Sequence, residues 1–217
     1  MTQIFSPAAD TWLRLFLFGG LSLASGSTAG IVAFARSDYI TSVDFRPTQP
    51  VPFSHRHHAG ELGIDCRYCH SSVETSPRAG LPPIATCMTC HSQIWTNAAM
   101  LEPIRQSLAD DKPIVWTRVA KLPDYVYFRH DIHIAKGVGC ASCHGRIDTM
   151  ALTYRAKPFT MEFCLDCHRD PMPNLRPQSH ITDMAWKPSD ARAEGEAVAA
   201  HEGLRIGQLT HCYVCHR

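Results

Sequence analysis

The chain has 217 residues, a formal charge of +1, 13 His, 10 Cys and 15 Pro. So small a charge leaves no basic footprint for nucleic acid and no acidic tail, and the prolines argue for short helices joined by irregular loops. The length suits one domain or two small ones.

Residues 12–35, WLRLFLFGGLSLASGSTAGIVAFA, are apolar or small apart from Arg14, and 21 uncharged residues separate Arg14 from Arg36. That is enough to cross a bilayer as one helix. A cleaved signal peptide is the rival reading, with Leu15 to Leu23 as its apolar region. The expectation is a retained anchor over residues 1–36. Gly26 and Gly30 mark a face of small residues suited to another membrane helix. Arg36, Arg46 and Arg56 follow the helix and run against the positive-inside rule, which the covalent chemistry below overrides by requiring export.

Residues 37–52 read as an extended linker. Residues 53–91 then hold two CxxCH motifs, Cys66/Cys69/His70 and Cys87/Cys90/His91, behind His55 and His58. Three more follow: Cys140/Cys143/His144, Cys164/Cys167/His168 and Cys212/Cys215/His216, which uses every cysteine. Given 13 His in 217 residues, five chance histidines after five such pairs is on the order of 1 in 10^6. The motif attaches a c-type haem: two thiols form thioethers and the adjacent imidazole lies under the iron. A disulfide framework gives no reason for the trailing His. Zinc knuckles fit the 17 and 20 residues from Cys69 to Cys87 and Cys143 to Cys164, but leave the fifth pair without a partner. Five haems are therefore expected. With two propionates and one ferric charge each, the loaded protein sits at about −4. Sixteen Arg against five Lys suit bidentate pairing with propionates.

The motifs repeat. Phe53-x-His55-x-x-His58, seven residues and two CxxCH are matched 75 residues later by Phe128-x-His130-x-x-His133, six residues and two CxxCH. Two copies of one di-haem unit, 53–91 and 128–168, are the simplest account. Histidines three apart on one helical turn can reach two irons, so His55, His58, His130 and His133 are expected as second axial ligands. His57 reads as a bystander. In the spacer, 92–127, residues 97–108 read as a helix and 113–119 as a short strand, with Trp95, Trp116, Tyr125 and Tyr127 covering haem faces. In the C-terminal segment, 169–217, RDPMPNLRP should run extended over the surface, and a helix capped by Ser189 returns the chain to the fifth haem. Five irons need five distal ligands and the His pairs supply four. Met150 is the favoured fifth, with Met184, Met161, His180 and His201 as alternatives, and a thioether there would raise that haem's potential.

As an ordered set, the N-terminal helix, QPVPFSHRHH, GIDCRYCHSSVE, AGLPP, CMTCHSQIW, LPDYVYFRHDIH, GVGCASCHG, TMEFCLDCHR and the final CYVCHR resemble the pentahaem cytochrome c subunit of alternative complex III. The resemblance implies a multihaem cytochrome c fold, mainly helical and irregular with little sheet. Its core would be haem-packed, with cytochrome c7/c3-like di-haem repeats and one N-terminal transmembrane helix. It implies an inner-membrane, single-pass protein whose haem domain faces the periplasm. The implied partners are an iron–sulfur subunit related to molybdopterin oxidoreductases, polytopic quinol-binding subunits and a monohaem cytochrome c. The function implied is electron transfer from quinol oxidation to a soluble carrier or terminal oxidase, without substrate chemistry of its own. A multihaem reductase with an open iron, and a stand-alone tethered cytochrome passing quinol electrons to a reductase, are the rival readings.

Overall fold

The computed structural model describes residues 4–216; the first three residues of the expected anchor, and Arg217, lie outside the described residues. The chain divides into two compact units, residues 1–42 and 43–217.

In the first unit, one helix runs Pro7–Ala35. A helix opens readily on proline, because the first turn leaves that N–H unused. Its 29 residues reach about 43 Å at 1.5 Å per residue, and the stretch Ala8–Thr41 has a mean hydropathy of 1.6. Its large apolar side chains are exposed, among them Phe16, Phe18 and Leu23. The Ser25 and Thr28 hydroxyls donate back to the carbonyls of Ser22 and Ala24, which lowers the cost of placing them in an apolar medium. The only charges on the helix pair with each other, Arg14 with Asp10 at 3.0 Å. A second single helical turn, Asp38–Thr41, interrupts the start of the expected extended linker.

The second unit is a set of short helices on long irregular loops. Among the described residues there is no strand, only isolated bridges of Val43 with Arg155 and Val138 with Leu175. Residues 113–119 are irregular, contrary to the strand expected there. The Thr117 backbone pairs with a side chain instead: Gln49 Nε2 donates to its carbonyl at 2.8 Å and Gln49 Oε1 accepts its N–H at 3.0 Å. The expected spacer helix is present as Glu102–Ala109, opened by a 3-10 turn over Ala99–Leu101.

Two other expectations are corrected. RDPMPNLRP was expected on the surface, yet it carries Leu175, which is 0% exposed, and the buried Arg176. The segment pairs with the backbone of the second repeat, Arg176 N donating to Gly137 O at 2.8 Å. The helix Ala191–His201 is capped by Asp190, whose carboxylate accepts from Arg192 N and Ala193 N, while Ser189 bonds the Glu194 carboxylate. A carboxylate two residues from those amides is the better placed acceptor.

Among the described residues nine apolar side chains are buried. One cluster, Val51, Leu101 and Ile104, is packed by Ile84, Met88 and Trp116. That is a thin core for a unit of this length, as expected of a polypeptide wrapped around large apolar groups. The helix Ala191–His201 closes against the turn Met172–Asn174 at Gly195, where a Cβ would lie 2.0 Å from Met172 O. Alanine is the better helix former by about 1 kcal/mol, but overpacking a fixed carbonyl costs about 1–3 kcal/mol. Gly195→Ala is therefore expected to lower stability in chemical denaturation, and a stabilised variant would contradict the contact.

Candidate haem centres

Each CxxCH sits on a short helical turn: Cys66–Cys69, the end of Ile84–His91, Cys140–His144, the end of Met161–Arg169, and Cys212–Cys215. Thiols three apart on a turn share one face, with the histidine at its end. The distal pairs lie on equivalent turns of different pitch. His130 and His133 are on the α-helix His130–Ala135, whereas His58 lies in a π-helical turn, Arg56–Glu61, that starts after His55. The wider turn absorbs the one extra residue that the first repeat has before its cysteines. Gly60 lets the Asp148 carbonyl close on this turn, since a Cβ there would meet it at 2.2 Å.

Nitrogen bonding marks most of the expected ligands: seven of the nine histidines expected at iron have a backbone carbonyl on Nδ1, and none of the other four does. Seven donate Nδ1–H to a backbone carbonyl: His58 to Ser54 and His133 to Arg129, each four residues back; His70 to Gly80; His91 to Ile94; His130 to Pro77; His168 to Leu209; and His216 to Tyr125, over 2.6–3.3 Å. A carbonyl only accepts, so Nδ1 carries the proton and the lone pair is on Nε2, the nitrogen that must meet a metal. His55 bonds Thr153 Oγ1 at 2.9 Å. Of the other five, His57, His201 and His211 bond the side chains of Glu61, Glu202 and Tyr213, His180 lies 3.6 Å from the Asp183 carboxylate, and the His144 ring has no carbonyl partner among the described residues.

The same histidines face one another in pairs. Ring centres are 6.3 Å apart for His58 and His91, 6.4 Å for His130 and His144, and 6.1 Å for His133 and His168. Two metal–imidazole bonds of about 2.0 Å, plus about 1.1 Å from each nitrogen to its ring centre, require about 6.2 Å. His55 has His70 as the imidazole that most opposes its protonation, ahead of His58 and His144. Burial, then these neighbours, pushes His55 down to about 4, and burial does the same to His144. Burial also lowers His133. These rings are neutral near pH 7, as ligands must be.

Phenylalanine fixes the spacing within each distal pair. Phe53 lies edge-on to His55 at 4.9 Å and stacks on His58 at 4.4 Å; Phe128 repeats this with His130 at 4.7 Å and His133 at 4.5 Å. Phe-x-His-x-x-His was visible in the sequence, but the role of the ring was not. Asp65, ahead of the first motif, was also missed. Its carboxylate accepts from Arg67 N and the Arg67 guanidinium and from Thr182 Oγ1, and the Arg67 hydrogen bond holds it down to about 2.

The thiols do not gather as a zinc site would need. Burial pushes the Cys143 thiol up to about 11 and raises those of Cys69, Cys87, Cys164, Cys167 and Cys215. Among the described residues no three His, Cys, Asp or Glu gather to hold a metal ion. One buried cation borders a motif: Arg176 Nε has no hydrogen-bond partner among the described residues and lies beside Cys140. A carboxylate acceptor is the kind of group that would satisfy it, and the vinyl edge of a haem held by Cys140 would not supply one.

The methionines fall in different places. Met150 is 3% exposed beside the turn that carries His55, and its carbonyl accepts Arg56 N–H at 2.9 Å. Met184 shares a cavity lining with Cys66. Met161 is exposed and opens the helix of Cys164, whose sulfur neighbours Cys215.

The model of the Class III cytochrome C family matches residues 36–113. The chain is 27% identical over 175 residues to the menaquinone reductase, multihaem cytochrome c subunit, of Nitratidesulfovibrio vulgaris, covering 78% of this chain and 77% of that one. With the five attachment motifs and the paired imidazoles, these likenesses mark the chain as a multihaem, electron-transporting cytochrome c, mainly helical and without sheet among the described residues.

Proposed function

We propose that the chain is the membrane-anchored pentahaem subunit of a quinol-oxidising complex of the alternative complex III type, with its haem domain in the periplasm. The observation that carries this reading is the set of facing imidazoles, five of the six with Nδ1 tied to a carbonyl. Each haem, when bound, supplies a reversible one-electron iron couple whose potential follows its axial ligands and burial.

The chain's own residues attach, orient and insulate. The ten cysteines would hold five haems, with His70, His91, His144, His168 and His216 as the ligands supplied by the motifs themselves. His55, His58, His130 and His133 would supply the second ligand to the first four. For the fifth iron the candidates are Met150, beside His55, and Met161, whose helix borders the fifth motif; that position favours Met161. A subunit built this way has no substrate chemistry of its own. The helix Pro7–Ala35 is its anchor, and the open small-residue face at Gly26 and Gly30 suits a neighbouring membrane helix. The partners would be an iron–sulfur subunit of the molybdopterin-oxidoreductase kind, polytopic quinol-binding subunits and a monohaem cytochrome c.

A second direction of flow is favoured by the relative's description as a menaquinone reductase subunit: electrons entering the haems from the periplasm and leaving to quinone. Membranes containing the chain decide it. Menaquinol added without an acceptor is expected to reduce the haems, and haems that respond only to a periplasmic donor would support the reverse flow. In blue native gels the haem-staining band is expected well above the 24.2 kDa chain; a band at the single-chain mass would defeat the complex.

Ligand variants test the site. His58→Ala should open one iron and raise carbon monoxide binding to the reduced protein by about one equivalent. Met161→His should lower the highest of the five potentials in a redox titration, and Met150→Ala should leave that potential in place. A potential moved by Met150→Ala and not by Met161→His would return Met150 to the fifth iron.

A further inference from the structure

We infer that the five attachment motifs are strung through space in the order second, first, third, fourth, fifth, because the two di-haem repeats are joined first member to first member about an internal two-fold. The inference rests on the proposed haem attachment and goes beyond it by fixing neighbours and ends.

The junction between the repeats is reciprocal. Cys66 and Cys140, equivalent positions of the two copies, lie close enough for each thiol to act on the other. Each copy's leading histidine is anchored on the loop behind the other copy's first motif: His130 Nδ1 on Pro77 O at 2.9 Å, and His55 Nδ1 on Thr153 Oγ1 at 2.9 Å. Exchange of equivalent contacts is the mark of a two-fold interface, here within one chain. Adjacent residues pin both first members from the same side. Thr182 Oγ1 donates to the Asp65 carboxylate, and Ile181 O accepts Cys140 N–H at 3.1 Å.

Outward from this junction each repeat adds its second member. In the first copy, His55 and His58 flank one turn and serve the first and second motifs. Tyr68 Oη bonds Thr89 Oγ1 at 2.9 Å, and Cys69 neighbours Cys87. In the second copy, His130 faces His144 and His133 faces His168 from one turn, and Cys143 neighbours Cys167 and Cys164. The fifth motif follows the fourth: His168 Nδ1 donates to Leu209 O at 2.8 Å, and Cys164 neighbours Cys215. Exposure agrees independently. Of the ten cysteines the exposed two are Cys90 and Cys212, which belong to the second and fifth motifs. These are the two ends, where partners must hand over or collect electrons.

The test is a structure of the haem-loaded protein in its membrane complex, read for nearest-neighbour irons. The expected pairs are second with first, first with third, third with fourth, and fourth with fifth. Five haems in which the second and third are neighbours and the first is terminal would overturn the order while leaving the haem reading intact. A protein with no haem would overturn that reading itself. Removing one haem gives a second measurement. In the Cys66→Ser/Cys69→Ser variant the second iron should lose its only neighbour and show an isolated low-spin ferric signal by electron paramagnetic resonance. A spectrum in which all four remaining irons stay coupled would contradict the order.

Discussion

A neutral imidazole has one N–H, and where that proton is held decides what the ring can do. In this chain a backbone carbonyl holds it on Nδ1 in seven of the expected ligands. The lone pair is thereby fixed on Nε2, the ring is locked in rotation, and burial keeps His55 and His144 uncharged. Three pairs of expected ligands, five of their six rings so prepared, stand 6.1–6.4 Å apart across a gap of one metal ion and its two bonds. The irregular loops that supply the carbonyls look wasteful by the standards of an ordinary helical domain. Here their irregularity is what lets Pro77, Gly80, Tyr125 and Leu209 turn a carbonyl toward a ring.

Duplication explains how so short a chain organises so many sites. One turn bearing two histidines, with a phenylalanine packed on both, turns its rings toward two motifs in the proposed reading, and a second copy of that turn repeats the arrangement. The copies are not identical. A π-helical turn in the first copy takes up the additional residue before Cys66, and the Phe–His spacings remain nearly equal in both. The fifth motif lies outside the symmetry, and its borders are residues of the fourth and of the spacer, Cys164 and Tyr125. A site added at one end of a symmetric unit gives the assembly a direction, which a relay between two different partners needs.

The motifs, the repeat and the apolar N-terminal helix were all legible in the sequence because each rests on local spacing. The placement of each histidine pair on one turn was legible for the same reason, as residues three apart. What could not be read were contacts made at long range. Nothing local marks Pro77 as the anchor of His130, or Thr182 as the partner of Asp65. The alternation of PIVWTRV suggests a strand, but its backbone is met by the Gln49 side chain. RDPMPNLRP looks like surface, yet Leu175 is buried because the second repeat folds against it. Met150 was nominated by counting ligands, and counting does not show where its segment lies, with its carbonyl on Arg56 N–H; the fifth ligand is decided by the variants and not by the fold.

The account stands or falls on imidazoles meeting metal from both sides. Near-infrared magnetic circular dichroism of the oxidised, haem-loaded protein reads axial ligation directly. Four of the five irons should show the low-spin bis-imidazole charge-transfer band. A spectrum dominated by high-spin, five-coordinate haem, or by histidine–methionine ligation at most sites, would contradict the pairing on which the rest is built.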